Sequence, residues 1–211
     1  MARNRCSVCQ FIEQHCLCNL VERLDNQTLV TLLQHPKEAT HAKNTGRLLP
    51  LVLNNLIIAV GETPDDFSEV SQRTTHQRLV LFPNPASEEL SALPASFQTS
   101  VTASVATTGA NSHGDIKLEL IVIDATWRKA KKIYAINPWL HALPSIHLNP
   151  AKSSNYQIRK SSLPYSLSTI ECVKTCMSMI EGLPSEPFDI LFKQFKQNYL
   201  KYLPHSLSAA E

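Results

Sequence analysis

The 211-residue sequence predicts an α/β fold, a largely parallel sheet flanked by helices, with a small cysteine-rich appendage at its N-terminus. Three observations predict it. Apolar and β-branched runs of strand length recur along the chain and alternate with segments of helical period, the pattern of βα units. The runs are continuous rather than alternating, as expected for strands covered on both faces. Four of the six cysteines fall within the first eighteen residues, in a segment with almost no core-forming capacity of its own.

Thr28–Leu33, Leu56–Val60, Leu79–Phe82 and Leu118–Ile123 are the strand runs, with a shorter one at Ser145–Leu148. Between the first two, Thr45-Gly46-Arg47-Leu48 opens a helix, and Pro50 is tolerable there only in the first turn. Trp127–Ile136 reads as a second helix with Thr126 as N-cap. A third runs from Thr169 to Ile180, with Ile170, Val173, Met177 and Ile180 on one side and Gly182 as its stop. The last, Pro187 to about Tyr202, sets Phe188, Leu191, Phe192, Phe195 and Tyr199 at helical spacing. The stretch 94–115, rich in Ser, Thr and Ala, lacks any period and reads as a mobile insertion. The expected division is an appendage over 1–24 and a main domain over 25–205.

Composition is that of an ordinary soluble protein, 43% hydrophobic and 18% charged. The best apolar run, Leu48 to Val60, is broken by Pro50, Asn54 and Asn55 and is shorter than the roughly 20 residues of a membrane span. No secretory pattern follows the first arginines, so a cytoplasmic protein is expected. The net charge of +2 hides an uneven distribution: from Ala125 to Ile170 there is no Asp or Glu, against Arg128, Lys129, Lys131, Lys132, Lys152, Arg159 and Lys160. Such a run attracts polyanions; the plainer alternative is a solvated helix face.

Cys6-x-x-Cys9 and Cys16-x-Cys18 place four thiols at the spacing of a tetrahedral zinc site, structural because four thiolates leave no open position. Two disulfides are the alternative, and an intracellular location argues against them. Cys172 and Cys176, one turn apart, read as buried inert thiols. Asp124-Ala-Thr126-Trp127 follows directly on a buried strand, and open α/β sheets bind ligands beyond the carboxyl ends of their strands. Taken alone, an Asp there is as readily a helix cap. No glycine-rich phosphate loop exists, since the only closely spaced glycines, Gly109 and Gly114, lie in the low-complexity stretch.

His35-Pro36-x-Glu38, Asn44-Thr45-Gly46, Asp124-x-Thr126-Trp127, Tyr156-x-Ile158-Arg159-Lys160 and Leu167-Ser168-Thr169-x-Glu171, in this order and behind the cysteine pairs, resemble the DTW-domain family. The resemblance runs from Cys6 to about Tyr202, apart from the insertion. It implies a SPOUT-like fold with a knot, which no periodicity reveals, and a transfer-RNA uridine aminocarboxypropyltransferase. Such an enzyme moves the 3-amino-3-carboxypropyl group of S-adenosylmethionine to uridine N3 and releases methylthioadenosine. By the same resemblance Asp124 and Thr126 are catalytic, and Leu81, Pro83, Asp124, Thr126, Trp127, Ser168, Thr169 and Glu171 hold the co-substrate. Lys43, Arg47, Arg128, Lys131, Lys132, Arg159 and Lys160 meet transfer RNA, while Cys6, Cys9, Cys16 and Cys18 hold structural Zn2+. No membrane and no obligate protein partner are expected. The competing readings are a SPOUT-type RNA methyltransferase and a non-enzymatic zinc-ribbon RNA-binding module.

Overall fold

The structure, a computed structural model, describes residues 4–9, 11–74, 76–92, 117–149 and 167–200. Six strands form one sheet in the order β2-β1-β5-β3-β6-β4, and every pairing in it is parallel. They are β1 (Leu29–Gln34), β2 (Leu56–Val60), β3 (His76–Leu81), β4 (Glu88–Glu89), β5 (Lys117–Asp124) and β6 (Ser145–His147). The helices are α1 (Pro36–Ala39), α2 (Ser68–Ser71), α3 (Trp127–Ile136), α4 (Pro138–His141), α5 (Thr169–Glu181) and α6 (Glu186–Leu200).

The two-sided burial expected of the strands holds at the centre and fails at the edge. All six residues of β1 are buried, as are Leu118 to Val122 of β5. In β2, Ile57 and Val60 are 37% and 49% exposed, because β2 is an outer strand of the sheet. One core joins α5 and α6 to the sheet through Ile170, Val173, Met177, Phe188 and Phe195; the other joins α3 and α4 through Ala130, Ile133 and Leu140. The two cores lie on opposite faces of the sheet, since alternate residues of β1 and β5 divide between them, Leu32 and Leu120 in the first and Leu33 and Ile121 in the second. The first core also takes in Cys9 and Leu17, so the N-terminal segment is seated on the main body.

The segment expected to open a helix at Thr45 is instead a 3-10 turn, Gly46–Leu51, with Pro50 inside it. Leu48 donates to the Thr45 carbonyl and Val52 to that of Leu49. This tighter pattern spares Pro50 the clash with a carbonyl four residues back that an α-helix would impose. The predicted stop at Gly182 is a left-handed residue, φ 69°. β4 has no counterpart among the expected strands, being two glutamates that pair with β6. The insertion at 94–115 and Tyr202 lie outside the described residues, and among the described residues no helix is long and apolar enough to cross a membrane.

At the opposite end of β5 from the DTW box, Glu119 is fully buried in the sheet and accepts from the Thr31 hydroxyl at 2.5 Å. Arg73 and Arg78 reach the same carboxylate at 2.5 Å and 3.0 Å. Arg78 also caps the carbonyls of Val70, Ser71 and Arg73, which ties the β2–β3 connection to the middle of the sheet.

Candidate active site at the carboxyl end of the sheet

β1 and β5 run in register to Gln34 opposite Asp124, so both strands end at one rim. Asp124 is buried, 3% exposed, and its carboxylate gathers three donors from three parts of the chain. Oδ2 accepts from Gln34 Nε2 at 2.8 Å and from Asn44 Nδ2 at 2.6 Å, and Oδ1 accepts from the Thr169 hydroxyl at 2.6 Å. A carboxylate offers about four acceptor sites, so among the described residues one remains, on Oδ1. Gly46 allows this packing: a Cβ there would stand 2.7 Å from Asp124 Oδ2 and 3.0 Å from Leu32 Cδ2. The motif pieces Asn44-Thr45-Gly46, Asp124 and Thr169, remote in sequence, thus meet at one atom group.

His35 follows β1 and is buried, its backbone N–H donating to the Asp124 carbonyl at 3.1 Å. Its Nδ1 accepts from the Lys37 N–H at 3.0 Å, so a neutral ring carries its proton on Nε2, which faces Glu62 at 3.6 Å. Burial, with Lys129 nearby, holds the His35 pKa below its usual value of 6.5. Glu62 also meets Lys132 at 3.0 Å, and Lys129 lies 4.0 Å from Glu38. The basic run that lacks acids in sequence therefore receives two from the ends of β1 and β2.

Thr126 starts α3 without a side-chain capping bond. Trp127 is 42% exposed and stacks on Phe82 at 5.7 Å, and Phe82 stacks on Tyr134 at 4.1 Å. Lys131 Nζ lies 5.6 Å from the Trp127 ring centre. Leu81 and Pro83 flank Phe82 at the end of β3, beside Asn84, which donates to the Tyr134 hydroxyl and to Ser145 Oγ. Ser168 and Glu171 form a capping box at the start of α5: the Ser168 N–H and hydroxyl donate to Glu171 Oε2 at 2.9 Å and 2.5 Å. Cys172, on the same helix, is pushed up to about 12 by burial and by the nearby Glu171 and Asp124 carboxylates.

Of the expected RNA contacts, Arg128, Lys131 and Lys132 are exposed on α3, and Lys43 Nζ lies 4.9 Å from the Tyr199 ring centre. Arg47 is half-buried instead; its Nη2 donates to the Cys9 carbonyl at 2.9 Å, and its guanidinium lies 4.1 Å from the Phe11 ring centre. Tyr156, Arg159 and Lys160 lie outside the described residues. Gln34, Glu62, Phe82 and Tyr134 belong to the rim although no motif singled them out. The one signal for Gln34 was a lone amide closing an apolar strand before His35.

The four N-terminal sulfurs lie within 4.8 Å of one another and are unbridged, with Cys6–Cys18 at 3.6 Å and Cys9–Cys16 at 3.7 Å. A disulfide would require about 2.05 Å. Thiolates about 2.3 Å from a tetrahedral zinc stand about 3.8 Å apart, so the set fits that ion. Backbone N–H groups of Cys9 and Val8 aimed at Cys6 lower its pKa to about 6, whereas burial and the neighbouring thiols push Cys18 up to about 12.

The DTW domain matches residues 3–203. A fruit-fly protein named tRNA-uridine aminocarboxypropyltransferase 2 is 28% identical over 192 residues, spanning 86% of this chain and 68% of its own length. Proteins of the same name from the crab-eating macaque and the mouse are 26% and 25% identical; each match covers 85% of this chain but 57% of theirs. No solved structure matches the chain. With the domain match extending over nearly the whole sequence and the DTW box at its structural focus, the chain belongs to the DTW-domain family.

Proposed function

We propose that this protein transfers the 3-amino-3-carboxypropyl group of S-adenosylmethionine to N3 of a uridine in transfer RNA, releasing methylthioadenosine. The observation that carries the reading is Asp124, the first residue of the family's box, held by Gln34, Asn44 and Thr169 where the parallel strands end. The activity named for the relatives supplies the reaction class.

In the reaction an N3–C bond forms, the C–S bond to the sulfonium breaks, and the imide proton leaves N3. Three carbons share that sulfonium, so alignment decides which one is transferred. The open acceptor site on Asp124 Oδ1 takes the imide N–H of uracil and receives its proton as the bond forms, while the sulfonium becomes a neutral thioether. The donors on Asp124 keep it in one position. Trp127, exposed and backed by Phe82, offers a stacking face for a base, and Thr126 begins the turn that sets it there. Leu81, Pro83 and the Ser168-Thr169-x-Glu171 corner border the space for the co-substrate, and Arg128, Lys131 and Lys132 take RNA phosphates.

Cys6, Cys9, Cys16 and Cys18 hold a structural zinc in an appendage, 1–24, on a catalytic domain, 25–205. Unbridged thiols of this kind suit a reducing compartment, and we place the enzyme in the cytoplasm. The all-parallel sheet and the lack of a glycine-rich loop support kinship with the SPOUT class. The test is to incubate purified protein with S-adenosylmethionine and unmodified transfer RNA and to weigh the digested nucleosides. A uridine heavier by an aminocarboxypropyl group, with methylthioadenosine released, is expected. A methyl gain, or no change across several transfer RNAs, would overturn the reading.

A further inference from the structure

The cysteine knuckle and the site carboxylate are joined by an unbroken series of short contacts. Cys9 is buried, and its carbonyl accepts from the Arg47 guanidinium at 2.9 Å. The same guanidinium lies over Phe11, which meets Phe195 edge-on at 5.8 Å. Arg47 donates its backbone N–H to Asn44 Oδ1 at 3.0 Å, and Asn44 Nδ2 donates to Asp124 Oδ2 at 2.6 Å. The Asn44 amide is therefore gripped at both ends, by Arg47 and by Asp124. Gly46 directly precedes Arg47, and a Cβ there would stand 2.7 Å from Asp124 Oδ2.

We propose that Arg47 is a positioning residue for the reaction, coupling the four-cysteine knuckle to Asp124 through Asn44. The proposal rests on the function given above. It assigns Arg47 an inward task in place of a phosphate contact. When the knuckle is closed around its metal, the Cys9 carbonyl and Phe11 hold the Arg47 side chain. The 44–51 turn is then clamped from outside, and Asn44 is presented to Asp124 in one orientation. When the knuckle opens, the clamp is released, and Asp124 keeps Gln34 and Thr169 but not a fixed Asn44. Metal loss at the appendage would therefore reach the active site without touching any group in it.

The two roles for Arg47 separate kinetically. A phosphate contact predicts a higher KM for transfer RNA and a shallower salt dependence. A positioning role predicts a lower kcat with both of those unchanged. We would compare the full-length wild type with Arg47→Gln, Asn44→Ala and the double variant, with zinc content measured for each. Amide hydrogen exchange would be followed over residues 44–53 and 117–126, before and after chelation. Arg47→Gln should keep its zinc, hold its transfer-RNA KM within about twofold, and lose about 10–100-fold in kcat, the scale of a misplaced catalytic group. The double variant should be no slower than Asn44→Ala alone. Chelation should speed exchange in both segments of the wild type and add little in Arg47→Gln. Arg47→Lys, which keeps the charge, should show the same faster exchange.

Multiplied losses in the double variant, a raised KM with unchanged kcat, or wild-type exchange unmoved by chelation would each overturn the coupling. Absence of aminocarboxypropyl transfer by the wild type would instead sink the proposed function. The exchange comparison would still decide whether the knuckle reaches Asp124.

Discussion

Replacing Gly46 by alanine adds one methyl group at the tightest point of the site. The new Cβ would lie 2.7 Å from Asp124 Oδ2, 3.0 Å from Leu32 Cδ2 and 3.1 Å from Asp124 Cγ, so something must move. Leu32 is fully buried, and the Asp124 oxygen is held by Gln34 and Asn44, leaving neither neighbour an inexpensive retreat. Displacing the carboxylate forfeits a hydrogen bond to a charged group, about 1.5–3 kcal/mol, and overpacking costs about 1–3 kcal/mol more. The loss of stability is roughly 2.5–6 kcal/mol. For a chain of this size that lowers Tm by about 5–24 °C, at about 2–4 °C per kcal/mol. Thermal unfolding by circular dichroism measures this, and turnover measured well below the new Tm should fall with it. The control is Gly182→Ala, where φ is 69° but nothing stands within 4 Å of a new Cβ. That change should cost about 1–2 kcal/mol of left-handed strain and leave turnover alone. A Gly46→Ala protein with wild-type Tm and turnover would refute the crowding argument and, with it, the fixed position of Asp124.

Four further outcomes are expected. Asp124→Ala should bind transfer RNA as the wild type does but lose turnover, and equal loss of both in filter-binding and product assays would make the residue structural only. Lys131→Ser with Lys132→Ser should weaken RNA binding and reduce the slope of log K against log salt by about one unit for each phosphate no longer neutralised; an unchanged slope removes this face from the footprint. His35 has a folded pKa below its unfolded value of 6.5, so the unfolded chain binds more protons in acid. Its contribution to stability is complete above about pH 6.5 and is lost as pH falls below that. His35→Asn should therefore flatten the fall in denaturation midpoint between about pH 6.5 and 5, and an unaltered slope would assign the acid sensitivity to other groups. Glu119→Ala should cost about 3–5 kcal/mol in urea unfolding, since it strands the Arg73 and Arg78 charges; a loss below about 1 kcal/mol would mean that water replaces the carboxylate.

Strands and helices showed in the sequence where period and burial coincide, as in β1, β5, α3 and α5. β2 has the same composition as a central strand, but edge position comes from topology, which a run of Leu, Ile and Val does not encode. β4 escaped because two glutamates form a strand only by pairing with β6. The site was legible as pieces: Asp124, Asn44-Thr45-Gly46 and Thr169 stood out, and the fold supplied the geometry that makes Thr169 a donor to Asp124. Gln34 and Glu62 were not legible, because one ordinary amide and one ordinary carboxylate acquire meaning only through the strands that end beside them. Arg47 was legible only as a cation, which reads as a nucleic-acid contact, and the Cys9 carbonyl at its tip comes from the packed structure.

The strand order has a consequence for how the chain reaches this state. β5 lies between β1 and β3 although it follows both in sequence. A nascent chain that has made β1 and β3 therefore holds two apolar edges that must not close on each other, since β5 has to enter between them. A premature β1–β3 pair would have to open before Glu119 could reach Thr31, Arg73 and Arg78. Refolding from denaturant should thus show a slow phase governed by late strand insertion, lengthened by conditions that stabilise early collapse. Yield during synthesis then depends on how quickly the segment after β3 arrives, and the interval before it does is when the chain is most prone to aggregate.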